Sequence, residues 1–337
     1  MNKVSFCMVC MNRLENLRKT IKKNIEDNIN YPNVEFILLD YNSKDGLENW
    51  VKQNLNNYLD SGILKYYKTI KPKYFHRSHS RNVAFKLATG DILCNLDADN
   101  FLGKEFAHYI NYHFSFRDDI FLISGKKDGS YGRVCVKRRD FFSIRGYDER
   151  MSGWGFEDDD LYHRLEMLGL QKIKIFKSKF LNSIEHESNA SFSNDKEVLS
   201  VKHILIHHIN RLESHVIYLF DTGKYNMGRV FRKNEFELDE IHLDEAWEEG
   251  TFVKKNNFLL LKSDTTNLKL LVIDEFKSFK NSEGKIYKKI FEKELLDFLL
   301  IQLTSLKNKN IFQSTIKNAK VQANTENNWG LSKLIKS

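Results

Sequence analysis

The sequence predicts an α/β protein with a mostly parallel central sheet, followed by a smaller C-terminal α+β region. Three observations carry this expectation. Short apolar runs alternate with helical periods over the first 100 residues, Gly90 stands just past one of those periods, and the texture of the chain changes after about Ser188. Strands that alternate with helices imply right-handed crossovers and a sheet covered on both faces.

Taken in order, residues 4–11 read as a buried strand, too short and too closely followed by Arg13 to be a secretory leader. Residues 14–25 have a helical period, and 34–39 form a second strand. The polar turn 40–46 opens a helix that runs through Leu55. Residues 63–67 supply a third strand, 80–88 a helix with Gly90 as its C-terminal stop, and 92–96 a fourth strand. Leu161, Leu165 and Leu168 share one face of a helix over 157–168, which Gly169 ends. Farther on, 196–219 reads as a helical, histidine-bearing stretch, 258–261 and 268–273 as strands, and 287–306 as an amphipathic helix before a Lys/Asn-rich tail. A boundary near residue 225 divides the chain into 1–225 and 226–337, the second part without an assigned role. The sequence has no internal repeat and no Pro/Gly-rich linker.

With 337 residues, of which 41% are apolar and 13% aromatic, the chain can fill one large core or two modest ones, which excludes a disordered protein. No apolar stretch approaches the roughly 18 residues that a spanning helix needs. Four cysteines (Cys7, Cys10, Cys94, Cys135) make no disulfide framework, so a reducing, cytoplasmic setting is expected. Lys plus Arg number 53 against 45 Asp plus Glu, a net charge of +8. That balance suits a polyanion, an anionic membrane surface or a phosphorylated small molecule without choosing among them.

Ligands of open α/β sheets bind beyond the carboxyl ends of the strands. The polar residues that follow strands are therefore the candidates: Asn12 and Arg13, Asp40 and Asn42, and Asp97-Ala98-Asp99-Asn100. In Asp97-Ala98-Asp99, two carboxylates on a turn can approach one hard divalent cation that bridges diphosphate oxygens. Glu157, Asp158, Asp159 and Asp160 crowd four acids at a helix start, where the helix dipole alone would account for one or two. Such crowding raises at least one carboxylate pKa and makes that group a better base near neutral pH. Gly153 and Gly155 flank Trp154 and free a large aromatic platform to move over a sugar or base. The basic run Phe75-His76-Arg77-Ser78-His79 precedes a helix N-terminus, where it can face phosphates. Cys7 and Cys10 face alternate ways on a buried strand, and His203 and His207 lack the glutamate of a zinc-binding H-E-x-x-H helix.

Together, Asn12-Arg13, Ser80-Arg81-Asn82-Val83-Ala84, Asp97-Ala98-Asp99, Gly146-Tyr147-Asp148-Glu149, the run from Gly153 through Leu161, and Arg164-Leu165 resemble a GT-A glycosyltransferase. More narrowly, they resemble bacterial family-2 enzymes with the β-1,4-galactosyltransferase-type C-terminal motif W-G-x-E-D-x-D. The resemblance covers residues 3–190. It implies a GT-A fold, a UDP-sugar donor and a divalent metal, manganese or magnesium. It also implies that Asp99 ligates the metal with Asp97 in support, and that His186 lies near the place of a metal-binding histidine. Asp158 would be the catalytic base, Glu157 would hold a sugar, and Trp154 would be the mobile aromatic. Gly132 would leave room for the donor sugar. Asn12, Arg13, Asp40, Arg81 and Asn82 would serve the donor nucleotide, Arg13 at the diphosphate and Asp40 at the uracil. Two positions depart from the pattern: no methionine between Met167 and Met227 supplies a further sulfur ligand, and Phe156 stands where glycine is common.

The activity so implied is inverting transfer of a hexose or N-acetylhexosamine from a UDP-sugar to a hydroxyl of a glycan acceptor, in surface polysaccharide synthesis. Lipid-linked acceptors and peripheral contact with the inner face of the membrane belong to this expectation. Two rivals are a metal-dependent nucleic-acid-processing enzyme and a non-catalytic sugar-binding protein. The acidic cluster opposes the first by repelling a polyanion, and no nucleic-acid partner is expected. Retention of a candidate base opposes the second.

Overall fold

The computed structural model describes residues 1–125, 130–184, 193–232, 241–243, 247–275 and 277–336. In chain order, the elements of the first half are β1 (Val4–Cys10), α1 (Leu14–Glu26), β2 (Val34–Asp40), α2 (Leu47–Asn54), α3 (Asn56–Asp60), β3 (Leu64–Thr69), α4 (Arg77–Leu87), β4 (Ile92–Asp97) and β5 (Asn100–Phe101). They continue with α5 (Phe106–Phe116), β6 (Ile120–Ile123), β7 (Val134–Lys137), α6 (Arg138–Ser143), α7 (Glu157–Met167), β8 (Gln171–Lys174) and β9 (Asn182–Ser183). Then come α8 (Lys196–Ser200), β10 (Val201–His208), β11 (Glu213–Phe220), β12 (Lys224–Arg232), β13 (Ile241–Leu243), β14 (Glu248–Lys255) and β15 (Phe258–Lys262). The last are β16 (Asn267–Asp274), β17 (Ser278–Lys280), β18 (Ile286–Lys289), α9 (Lys293–Lys317) and β19 (Leu334–Lys336).

These elements form two units, Met1–Asn194 with Asn308–Ser337, and Asp195–Lys307. The first unit holds an eight-stranded sheet in the order β19-β3-β2-β1-β4-β7-β6-β8. Strands β3, β2, β1 and β4 run parallel, as the alternation of elements requires. Strand β1 is central and apolar on both faces, so Cys7 and Cys10 enter different core clusters on opposite sides of the sheet. All four cysteines are free and buried. Helix α1 packs through Leu14, Leu17, Ile21 and Ile25, a stripe at helical spacing. The parallel register brings the ends of β1, β2 and β4 to one edge of the sheet.

The boundary expected near residue 225 is corrected in two ways. The first unit ends at Asn194, and the chain returns to it from Asn308, where β19 adds antiparallel to the sheet edge at β3. Within this returning segment Trp329 buries its indole beside Phe141 and Phe142, with ring centroids 6.2 and 5.7 Å apart.

In the second unit β10, β11, β12, β14, β15, β16, β17 and β18 pair antiparallel with their neighbours in turn, and β18 pairs back to β10. This closes an up-and-down barrel. Leu205, Ile217, Leu219, Tyr225, Leu259, Leu261, Leu270, Phe279 and Tyr287 fill its interior. On the outer side of β10–β12, Ile204, Ile206, Val216 and Tyr218 pack against Leu299, Leu300 and Leu303 of α9. The expected helix over 196–219 is therefore one short helix and two strands. Its β-branched and aromatic residues alternate in and out with period two, and His203 and His207 share a face in a strand as they would in a helix. The expected helix over 287–306 divides likewise into β18 and the later, longer α9. Among the described residues no helix is long and apolar enough to cross a membrane.

Candidate active site

The loops after β1 and β4, the start of α4 and the segment entering α7 line a cavity of about 310 Å³ in the first unit. Each contributes a charge. Arg13 follows β1, Arg77 and Arg81 lie on α4, Asp97 ends β4 and Asp99 follows it, and Glu157 and Asp158 open α7.

Asp158 is only 6% exposed. Its Oδ1 accepts from Arg81 Nη1 at 2.9 Å, and the same nitrogen lies 3.8 Å from Glu157 Oε1. Burial pushes the Asp158 carboxyl up to about 7; Arg81 and Arg77 oppose that rise, while Glu157 and Asp97 add to it. Arg81 Nη2 also reaches Asp97 Oδ1 at 3.4 Å, so one guanidinium joins the two acidic turns. Gly132 backs this arrangement: its φ is +95°, and a Cβ there would lie 3.0 Å from Asp158 Oδ2 and 3.1 Å from Arg81 Nη2. Only glycine meets both conditions without strain.

The four acids at the start of α7 divide their work. Asp159 accepts from the Tyr131 hydroxyl at 2.8 Å. Asp160 is fully buried and receives Arg164 Nε and Nη2, at 2.8 and 2.6 Å, while Arg164 Nη1 caps the Ile144 and Gly146 carbonyls. Glu157 and Asp158 alone of the four line the cavity.

Trp154 is 41% exposed at the cavity mouth. The Arg77 guanidinium lies between two rings, 4.9 Å from the Trp154 centroid and 5.4 Å from that of Phe75, and Nη1 donates to the Gly153 carbonyl at 2.6 Å. On the other side the returning segment braces the same loop. Asn308 Nδ2 donates to the Gly155 carbonyl at 2.8 Å, and the Phe312 ring packs 5.9 Å from that of Phe156, which holds a left-handed φ of 67°. Asn324 Nδ2 holds the Arg145 and Tyr147 carbonyls, both at 2.7 Å.

Among the described residues Asp99 meets Arg13 Nη2, 3.1 Å from Oδ2, and Asn100 Nδ2, 2.8 Å from Oδ1. Behind them the buried Arg133 donates to Asn100 Oδ1 and to the Phe101 and Phe180 carbonyls, fixing the turn. Among the described residues no set of three His, Cys, Asp or Glu side chains converges as a closed ion site. Two carboxylates that line a cavity beside three arginines instead suit a hard divalent cation whose remaining ligands come from diphosphate and water. Asp99 and Asp97 would hold such an ion. His186 lies outside the described residues.

Three expected donor residues stand elsewhere. Asp40 is fully buried, accepting from the Ser43 amide at 2.6 Å and the Tyr66 hydroxyl at 2.7 Å, and it does not line the cavity. Asn82 is fully buried as well: it clamps Tyr147 through its amide and carbonyl, at 2.8 and 2.9 Å, and meets Glu149. Asn12 lies beside the cavity, joining the Lys44 amide to Asn194. In each case the side chain is spent on shaping a loop: Asp40 ends β2, Asn12 follows β1, and Asn82 lies within α4. Conversely, Phe75, Arg77, Asn95 and Tyr131 line the cavity. Of these, only the run around Arg77 gave a sequence signal, its basic character before a helix.

A stretch of 61 residues is 36% identical to human chondroitin sulfate synthase 3, and one of 48 residues is 35% identical to the mouse protein. These matches cover 17% and 14% of this chain, and the chain spans only 7% and 5% of the length of those relatives. Among solved structures, a mannosyltransferase of Pyrobaculum calidifontis in complex with GDP-Man and Mn2+ is 16% identical, with a TM-score of 0.47 over 57% of this chain and 59% of the other. The catalytic domain of Drosophila β-1,4-galactosyltransferase 7, complexed with xylobiose, is 17% identical, with a TM-score of 0.37 over 58% and 71%. The family model described as Glycosyl transferase family 2 matches residues 5–184, more than half of the chain. The α/β unit with its cavity at the ends of β1 and β4 is thus the GT-A-type domain of a chain that belongs to glycosyl transferase family 2.

Proposed function

We propose that this protein is an inverting, metal-dependent glycosyltransferase that moves a hexose or N-acetylhexosamine from a UDP-sugar to a hydroxyl of a glycan acceptor. The observation that carries the reading is a buried carboxylate, Asp158, poised near neutrality in the same cavity as Asp97 and Asp99. Arg81 occupies Asp158 Oδ1, which leaves Oδ2, on the Gly132 side, to take the acceptor proton. As that proton leaves, the acceptor oxygen bonds to the anomeric carbon from the face opposite the diphosphate, the bond to the diphosphate breaks, and the configuration inverts. Glu157 lies beside Asp158 where it would orient a sugar hydroxyl, and Trp154 would cover the sugars. A metal held at Asp99 would supply charge neutralisation of the departing UDP. Arg13 and Arg77 line the same cavity as fixed positive charge for the diphosphate.

The acidic lining disfavours a nucleic-acid substrate, and a carboxylate tuned to ionise near neutral pH is superfluous in a protein that only binds sugar. The reaction would belong to surface polysaccharide synthesis on the cytoplasmic side of a membrane, with lipid-linked acceptors among its substrates. A UDP-release assay over a panel of UDP-sugars and glycan acceptors tests the proposal. Turnover lost in Asp158→Asn supports it, and equal turnover in the two proteins contradicts it.

A further inference from the structure

The barrel wall formed by β14–β18 has a mixed outer face. Cross-strand pairing sets Val253 against Leu260, Phe258 against Leu271, and Lys280 against both Leu271 and Ile286, while Leu259, Leu261, Leu270, Phe279 and Tyr287 point inward. Val253, Leu271 and Ile286 are 54%, 47% and 44% exposed. The same face carries Lys255, Lys262, Lys269, Lys280 and Lys288, all exposed, against two acids among the described residues, Glu249 and Asp274. Lys269 and Lys255 extend over the Phe258 ring, with Nζ 4.6 and 5.7 Å from its centroid.

We propose that this wall docks on the surface of an anionic lipid bilayer. Lysine stems lying along apolar neighbours let the aliphatic tips enter the headgroup boundary while the ammonium groups stay among the phosphates. The charge of the face complements an anionic leaflet. A single-stranded nucleic acid would be met by a row of stacking aromatics, whereas among the described residues this face offers Phe258 alone. A soluble polyanion needs lysines but gains nothing from exposed Val, Leu and Ile. The amphipathic stretch of α9 is not the docking element, because its leucines are buried against the opposite side of the barrel.

Flotation of the full chain with phosphatidylcholine vesicles, with and without phosphatidylglycerol, tests this at about 0.15 M salt. Binding is expected only with phosphatidylglycerol. The triple variant Lys255→Gln, Lys269→Gln and Lys280→Gln should lower partitioning about a hundredfold, at about fivefold per lysine. Leu271→Asn with Ile286→Asn should lower it at unchanged charge, and Lys19→Gln with Lys22→Gln on α1 should leave it unchanged. All these positions are exposed, so folding is preserved. No vesicle binding by the wild type, equal loss in the α1 variant, or capture by a soluble heparin resin that vesicles do not compete away would each overturn the proposal. The readout is binding, so it stands apart from the catalytic reading.

Discussion

Arg81 Nη1 sits 2.9 Å from Asp158 Oδ1 while its Nη2 sits 3.4 Å from Asp97 Oδ1, so a single buried guanidinium ties the candidate base to the metal-side turn. The pH dependence of transfer follows from it. Asp158 works as a base only when ionised, and its carboxyl is pushed up to about 7, so kcat/KM should rise with pH through about 7 and level above. Arg81→Gln removes a charge that holds this value down and should move the rise to higher pH. Stability has a matching sign. The carboxyl ionises near 3.8 in the unfolded chain and near 7 in the folded one, so stability present below about pH 4 is lost as pH rises through 7. Asp158→Asn should therefore melt higher than wild type at pH 8, with the difference vanishing toward pH 4. Melting scans at both pH values check this, and an acid limb near pH 4 would contradict the assignment of the base.

Arg13 Nη2, 3.1 Å from Asp99 Oδ2, competes with a cation for that oxygen. Removing the guanidinium in Arg13→Gln should raise the affinity of manganese alone and lower that of UDP in the presence of manganese. Calorimetry of each ligand separates the two effects. Parallel changes in both would show that Arg13 does not compete at Asp99.

Gly132 combines a φ of +95° with a position where an added Cβ would lie 3.0 Å from Asp158 Oδ2. Gly132→Ala should cost about 1–3 kcal/mol of stability from the backbone conformation and displace the carboxylate. Turnover should fall further than the melting temperature explains. Unaltered kcat in a folded variant would place the acceptor proton elsewhere.

The Trp154 loop is braced by Asn308 and Phe312, neither of which lines the cavity. Asn308→Ala should cost about 1 kcal/mol. Both Asn308→Ala and Phe312→Leu should raise hydrogen exchange at residues 151–157 and lower kcat with UDP affinity nearly kept. Exchange rising evenly through the whole unit would mark the segment as a general staple.

Much of the first unit was legible because buried parallel strands leave unbroken apolar runs and amphipathic helices leave a stripe. Of the four acids crowded at the start of α7, Glu157 and Asp158 line the cavity, whereas Asp159 and Asp160 serve Tyr131 and Arg164, a division that spacing alone does not record. Asp40, which ends β2, and Asn82, within α4, do not line the cavity for a physical reason: a polar side chain near a site can face a ligand or satisfy a neighbouring backbone group, and the sequence reads the same in both cases. The return of residues 308–336 to the first sheet depends on contacts such as Asn324 with Tyr147 and Trp329 with Phe142, made across a separation no local pattern records. The strands β10 and β11 were hidden by histidines four apart, a spacing common to both periodicities.

Manganese-dependent UDP binding and sugar transfer, measured together for wild type, Asp99→Ala and Asp158→Asn, test the central claim most directly. The account predicts that Asp99→Ala loses manganese-dependent binding, while Asp158→Asn keeps it and loses about 10²–10⁴-fold in turnover. Failure of the wild type to bind UDP with any divalent metal would contradict the glycosyltransferase assignment of this cavity.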